Sequence, residues 1–334
     1  MRIGSWLGFL VGGLSVLGLR PVPPAATTWV SEPAAGVRPW LHAIADARHA
    51  IDLNAYLLTD GPLIHALKAA ANRGVTVRIL LEPHPYRAAW APPFTRARLA
   101  GSKVVIHAAP ARFAHPYAFD HAKYLVVDPG DADQVALFGS ANGTASAFEG
   151  GNLDDALETT QPAVVQALTQ VFDADWAGHR AGRAPRRVLT LSPGAAPALA
   201  HLFSAPGPVA VMTEELGPVP RLDAGLAQHG GQARVLVPMG LSRSDRQEAT
   251  ALVCAGVHVR HLATPTVHAK LIVTATATWV GSQNLSPVSL DANREVGLIT
   301  TSAPIHQQVL GWFNHWWAQA TPQPRPVRCV PGGA

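Results

Sequence analysis

The chain has 334 residues, 48% of them hydrophobic and 14% charged, with a formal net charge of +4. This composition excludes a disordered chain and a dedicated nucleic-acid surface built on Lys/Arg runs, and the length is that of about two ordinary domains. It is compatible with an anionic substrate without choosing one.

Taken in chain order, Met1-Arg2 is followed by an apolar run over 3–19, then Arg20 and the Pro-rich 21–26. Residues 1–26 read as a secretory signal peptide cleaved near Ala26 or as an uncleaved N-terminal anchor, and either places the rest of the chain outside the cytoplasm. A helix to about residue 49 then precedes a strand over 50–56, a strand over 75–81, a helix over 95–100 and a strand over 103–107. The second half repeats the order, with a helix over 195–203 and strands over 209–212 and 233–237. A helix starting from a Ser244/Gln247 capping box and running to Gly256 precedes a strand over 257–262. The expected fold is α/β: two similar βα lobes related by a pseudo-twofold, with mixed sheets flanked by helices and one shared site. The boundaries are lobe 1 over 27–179, a linker over 180–187, lobe 2 over 188–318 and a loose tail over 319–334. The two cysteines exclude a disulfide-framed scaffold. Cys254, in an apolar helical stretch, is expected in the core, although one bridge to Cys329 is open to an exported chain.

The most informative residues are two triplets, His121-Ala122-Lys123 and His268-Ala269-Lys270, followed by Gly139-Ser140-Ala141-Asn142 and Gly281-Ser282-Gln283-Asn284. With four lysines against 22 arginines, finding half of the lysines in matching triplets argues that an ammonium is needed there. On a strand, positions i and i+2 share a face, so each His and Lys project together, and a hairpin brings the Gly-Ser-x-Asn segment beside them. Two lysines, two amides and two imidazoles around one phosphodiester supply charge stabilisation, a nucleophile and a general acid without a metal or other cofactor.

These residues resemble the signature of the phospholipase D superfamily, His-x-Lys-x(4)-Asp-x(6)-Gly-Ser-x-Asn, which occurs twice in its two-lobed members. The resemblance covers roughly 27–318. It implies catalytic His121, His268, Lys123 and Lys270, with Asn142, Asn284, Ser140 and Ser282 binding the substrate phosphate. Asp128 matches the motif aspartate as a supporting residue, whereas in the second copy Ala275 stands in its place and Gly281 comes one residue early. Glu295 and Asp154 match carboxylates that orient a histidine across the interface. The resemblance favours His121 as nucleophile and His268 as general acid, and leaves the converse open.

The remaining histidines show no metal-ligand spacing. The aromatic helix around 312–317 reads as a core stripe, and the loop over 86–94 offers aromatic and basic side chains beside a strand end. The leading function is a metal-independent phosphodiesterase or phosphatidyltransferase acting on phospholipid headgroups at a membrane surface, through a phosphohistidine. An exported nuclease cleaving DNA or RNA is the alternative. A cardiolipin-type synthase and a non-catalytic phosphate-binding protein rank below it, and no obligate protein partner is implied.

Overall fold

The computed structural model describes residues 26–113, 117–327 and 329; the expected signal peptide or anchor lies outside them, apart from Ala26. Lobe 1 runs β1 (Thr27–Glu32), α1 (Arg38–Asp46), β2 (Ala50–Ala55), α2 (Gly61–Arg73), β3 (Thr76–Leu81), α3 (Ala91–Leu99), β4 (Val105–Ala108), β5 (Tyr124–Val127), β6 (Val135–Gly139), α4 (Ala145–Phe148), β7 (Asn152–Thr159) and α5 (Pro162–Trp176). Lobe 2 runs β8 (Thr190–Ser192), α6 (Ala196–Leu202), β9 (Val209–Met212), α7 (Pro220–His229), β10 (Ala233–Pro238), α8 (Arg243–Cys254), β11 (His258–Leu262), β12 (Thr266–Val267), β13 (Lys270–Val273), β14 (Thr278–Gly281), α9 (Pro287–Asp291), β15 (Glu295–Thr300), α10 (Ala303–Gln319) and β16 (Thr321–Pro322).

Each lobe is a mixed sheet, as expected. The first has the order β1-β7-β6-β5-β2-β3-β4, and the second β16-β11-β10-β9-β13-β14-β15-β8. In both, parallel βα units (β2-β3-β4 and β9-β10-β11) join an antiparallel hairpin (β5-β6 and β13-β14). The strands are apolar on both faces because both are covered. One core packs α1 and α2 on the outer face of the first sheet, and a second packs α6, α7 and α8 on the outer face of the other. The third and largest joins the lobes: Tyr124, Phe138 and Phe172 meet Leu271, Val280, Val296 and Phe313 between the sheets. Phe313, within the aromatic stretch of α10, is fully buried, while Trp312 lies edge-on to Trp29 of β1 at 5.4 Å. Burying each such aromatic contributes about 1.5–3 kcal/mol.

Three local expectations change. Cys254 ends α8 half-buried and forms a disulfide with Cys329, with Cα atoms 5.4 Å apart. The tail reaches it because β16 adds to the sheet edge beside β11 and Gln323 donates its backbone N–H to Val259, so residues 321–323 are held rather than loose. Finally, α8 is capped two residues earlier than Ser244 implies: Ser242 and Asp245 form the capping box.

Candidate active site

The two His-x-Lys triplets approach one centre from opposite lobes, and the contact between lobes places them. His121 and Ala122 lie just before β5, where the His121 backbone N–H donates to the Arg294 carbonyl at 2.9 Å and Arg294 N–H donates back to Phe119. On the other side β12 pairs in parallel with β7, and His268 N–H donates to the Leu153 carbonyl at 3.0 Å. Each histidine is thus pinned to the residue preceding a carboxylate of the opposite lobe. The triplets are not the strand positions expected of them: His121, Ala122 and Lys123 all precede β5, and only Lys270 enters a strand, at the start of β13, so cross-lobe hydrogen bonds, more than strand pairing, set their orientation.

The carboxylates complete this pattern. Glu295 Oε1 and Oε2 both lie 3.0 Å from His121 Nδ1, while Glu295 Oε1 also accepts from Ser289 Oγ at 2.7 Å and Asn293 Nδ2 at 3.0 Å. Asp154 Oδ1 lies 2.5 Å from His268 Nδ1 and accepts from Ser140 Oγ at 2.7 Å. A carboxylate on Nδ1 fixes the tautomer, aiming Nε2 at the centre. The lysines are buried beside their own histidines: Lys123 Nζ donates to the His121 carbonyl and Lys270 Nζ to that of His268, each at 2.5 Å. Lys123 also stands over the Tyr56 ring at 4.9 Å, and that ring is edge-on to His121 at 4.6 Å.

Burial is the largest influence on His121 and brings its ring down to about 4; Lys123 and Lys270 push the same way, against Glu295. At neutral pH the ring is therefore uncharged, with a proton on Nδ1 toward Glu295 and a lone pair on Nε2. Burial also brings Lys123 down to about 7, opposed by Glu295 and reinforced by Lys270. That Lys270 acts on both groups of the other lobe shows that the half-sites share one electrostatic centre. Burial by itself would raise Glu295 and Asp154, but the charges and hydrogen bonds of His121 and His268 outweigh it and hold both carboxyls below their ordinary values.

The amides and serines divide. Asn142 is buried with Oδ1 unpartnered, and Asn284 is buried with Oδ1 3.4 Å from the Glu215 N–H, so both lie in the motif loops beside the centre. Ser140 and Ser282 are placed differently from the phosphate-binding role expected of them. Both are fully buried and brace the next strands: Ser140 Oγ accepts from Asp155 N–H at 2.9 Å, and Ser282 Oγ from Val296 N–H at 3.1 Å. The preceding glycines allow this approach, since a Cβ on Gly139 would sit 2.2 Å from the Asp155 carbonyl oxygen. Asp128 lies away from the chemistry. Its carboxylate accepts from the backbone N–H groups of Arg48, His49 and Ala50 at 2.7–2.8 Å, fixing the entry to β2.

One functional candidate escapes motif reading. Glu214, directly after β9 and Thr213, puts Oε2 2.8 Å from Lys270 Nζ and 3.4 Å from His268 Nε2. Its signal in the sequence is weak: an acid just past the C-terminal end of a strand, where sites open in α/β folds.

A family model described as cardiolipin synthase, PLD-like domain, matches residues 40–176 and 219–317, well over half of the chain and both half-sites. No curated protein matches the sequence. Among solved structures the chain is similar to phosphatidylserine synthase of Haemophilus influenzae Rd KW20, at TM-score 0.62 and 14% identity, covering 89% of this chain and 87% of that one. It is also similar to polyphosphate kinase from Porphyromonas gingivalis, at TM-score 0.63 and 14% identity over 87% of this chain; it spans 50% of the kinase's length. Nuc, a phospholipase D family member from Salmonella typhimurium, is 23% identical over 47% of this chain and 97% of its own, at TM-score 0.40. The likeness to the synthase and the kinase concerns the fold. The family model spans the same two lobes whose contact pins each histidine, and the chain belongs to the phospholipase D superfamily through its cardiolipin synthase-type, PLD-like domain.

Proposed function

We propose that this chain is a metal-independent phosphodiesterase or phosphatidyltransferase that acts on phospholipid headgroups outside the cytoplasm. The observation that carries the lipid reading is the rim of the site. Tyr86 (64% exposed), Trp90 (61%), Phe94 (38%) and Tyr117 (82%) are large apolar side chains left in solvent. They belong to segments that converge on Tyr56, the ring against His121. Tyr86 N–H donates to Tyr56 Oη at 2.7 Å, and Phe119, two residues beyond Tyr117, is edge-on to Tyr56 at 5.9 Å. Arg87 folds over Tyr86 and Arg98 over Phe94. Exposed aromatic rings with cations over them suit the headgroup region of a bilayer. The Cys254–Cys329 disulfide supports an oxidising compartment.

In this reading His121 Nε2 attacks phosphorus, a P–N bond forms, and the P–O bond to the headgroup breaks. His268 Nε2 gives its proton to the departing alcohol oxygen. Neutral His268 then takes a proton from water or an acceptor alcohol, whose oxygen attacks phosphorus as the P–N bond breaks, giving phosphatidate or a new diester. Lys123, Lys270, Asn142 and Asn284 stabilise the charge on the non-bridging oxygens, each such donor being worth roughly 10²–10³ in rate.

The test is an assay in chelator with vesicles of phosphatidylcholine or phosphatidylglycerol and with single- and double-stranded DNA. Headgroup release without DNA cleavage is expected. Cleavage of DNA and not of lipid would replace this reading with the exported nuclease, the rim then serving as a base-stacking surface; loss of all activity in chelator would end the metal-free mechanism.

A further inference from the structure

Among the differences between the two half-sites, one changes the kind of group set against the histidine. In lobe 1 Asn54 pairs with Tyr124, and in lobe 2 Met212 pairs with Leu271. Tyr124 and Leu271 each directly follow the lysine of the triplet, so Tyr56 and Glu214, two residues further along the chain and just past the ends of β2 and β9, correspond under the pseudo-twofold. Lobe 1 therefore sets an aromatic ring against its histidine, at 4.6 Å, where lobe 2 sets a carboxylate.

The consequence lies in the hydrogens. Nδ1 of His268 faces Asp154 Oδ1 at 2.5 Å and Nε2 faces Glu214 Oε2 at 3.4 Å, so each ring nitrogen looks at a carboxylate oxygen. A lone pair on Nε2 would point at negative charge, whereas an N–H there is attracted to it. His121 differs: its carboxylate partner, Glu295, meets Nδ1. The charged groups around His268 come from three elements. They are Asp154 on β7, Glu214 after β9 and Lys270 at the start of β13, with His121 across the centre also acting on Glu214. Lys270 Nζ, 2.8 Å from the same Oε2, holds the half-buried Glu214 in place.

We propose that Glu214 is a positioning residue that keeps a proton on Nε2 of His268, making this ring the general acid and leaving His121 as the nucleophile. The catalytic consequence rests on the phosphodiesterase reading above; the location of the proton does not. During the first step the proton passes from Nε2 to the leaving alcohol oxygen. The exposed lone pair then faces Glu214, which favours its recapture of a proton from the incoming water or alcohol.

The experiment uses the full chain, its Glu214→Gln variant and, as a conservative rescue, Glu214→Asp. Histidine ¹⁵N spectra at neutral pH should show hydrogen on Nε2 of His268 in the unaltered protein, lost from Nε2 in the Gln variant and partly restored in the Asp variant. The same proteins are compared on an alkyl phosphodiester, whose leaving alcohol needs a proton, and on a nitrophenyl diester, whose leaving group needs none. The alkyl-to-nitrophenyl rate ratio should fall roughly 10–100-fold in Glu214→Gln. Absence of hydrogen on Nε2 of His268 in the unaltered protein, no change at Nε2 in the Gln variant or an unchanged rate ratio would overturn the proposal. Failure of the unaltered protein to cleave either diester would instead overturn the phosphodiesterase reading, while the spectra still decide where the proton sits.

Discussion

Lobe 1 holds its hairpin by Asp128, which gathers three backbone N–H groups at the start of β2, whereas lobe 2 has Ala275, exposed, at the same motif position. Both lobes nevertheless present their histidine in the same manner, with Nδ1 on a carboxylate of the opposite lobe and the backbone N–H on the residue before that carboxylate. In lobe 2 the shortened turn closes through Thr274, whose Oγ1 accepts from the N–H groups of Thr276 and Ala277. The motif aspartate is therefore a local fastener, and the interface between lobes is what aims the imidazoles. A site assembled this way requires both lobes together, and its symmetry is free to break where side chains rather than backbone face the substrate, as at Tyr56 and Glu214.

The largest effects should come from the histidines. His121→Ala is expected to reduce diester cleavage by about 10⁴-fold or more and to abolish a trapped phosphohistidine. In His268→Ala a nitrophenyl diester should still yield the adduct, which would then persist because its hydrolysis lacks a base. Adduct formation in His121→Ala and not in His268→Ala, followed by mass spectrometry, would reverse the assignment of roles. Next come the carboxylates across the interface. Glu295→Gln and Asp154→Asn keep the shapes but lose the charge that fixes each tautomer, and a loss of roughly 10²–10⁴ in kcat is expected for each. If the lobes act as halves of one site, the double variant should lose far less than the product of the two.

The pH profile measures the same asymmetry from the acid and base sides. His121 must be neutral to attack, and its lowered value of about 4 places the acid limb of kcat/KM there, activity falling as pH drops through it. Lys123 must be charged to stabilise the transition state, so its lowered value of about 7 places a basic limb near neutrality, activity falling as pH rises through it. Lys123→Arg, with a guanidinium that stays charged, should move that limb to higher pH even where the maximum rate suffers. An alkaline limb that stays near 7 in this variant would remove Lys123 as its source.

Much of this arrangement is readable from the sequence, and the exceptions share a cause. The triplets, their Gly-Ser-x-Asn partners and the alternating βα order depend on local spacing and on repetition between halves, so they survive without coordinates. Glu295 and Asp154 are readable because they follow the motifs at short range, although which histidine each meets depends on the resemblance. Glu214 is hidden because it reaches Lys270 from 56 residues away, through the pairing of β9 with β13. The serines differ for another reason: a hydroxyl two residues from the motif amide looks available, yet Ser140 and Ser282 are consumed by the backbone of β7 and β15. The Cys254–Cys329 bridge depends on β16 returning the tail to the edge strand β11, a pairing of two residues that no hydrophobic period announces.

The smallest effect separates fastening from aiming. Asp128→Ala leaves the backbone N–H groups of Arg48, His49 and Ala50 without their acceptor, and hydrogen bonds to a charged group contribute about 1.5–3 kcal/mol. A loss of that order is expected in denaturant unfolding. Adding the aspartate where lobe 2 lacks it, in Ala275→Asp, should change stability by less than about 0.5 kcal/mol, because the site is exposed and Thr274 already serves the turn. Catalysis in folded Asp128→Ala should stay within about threefold of the unaltered protein, since one kcal/mol of misplacement would already cost about fivefold and His121 is held by Arg294 and Glu295 from the other lobe. A fall in kcat far beyond that, with the variant still folded, would show that lobe 1 aims its histidine through its own hairpin, and that the two halves differ in how they work as well as in what they carry.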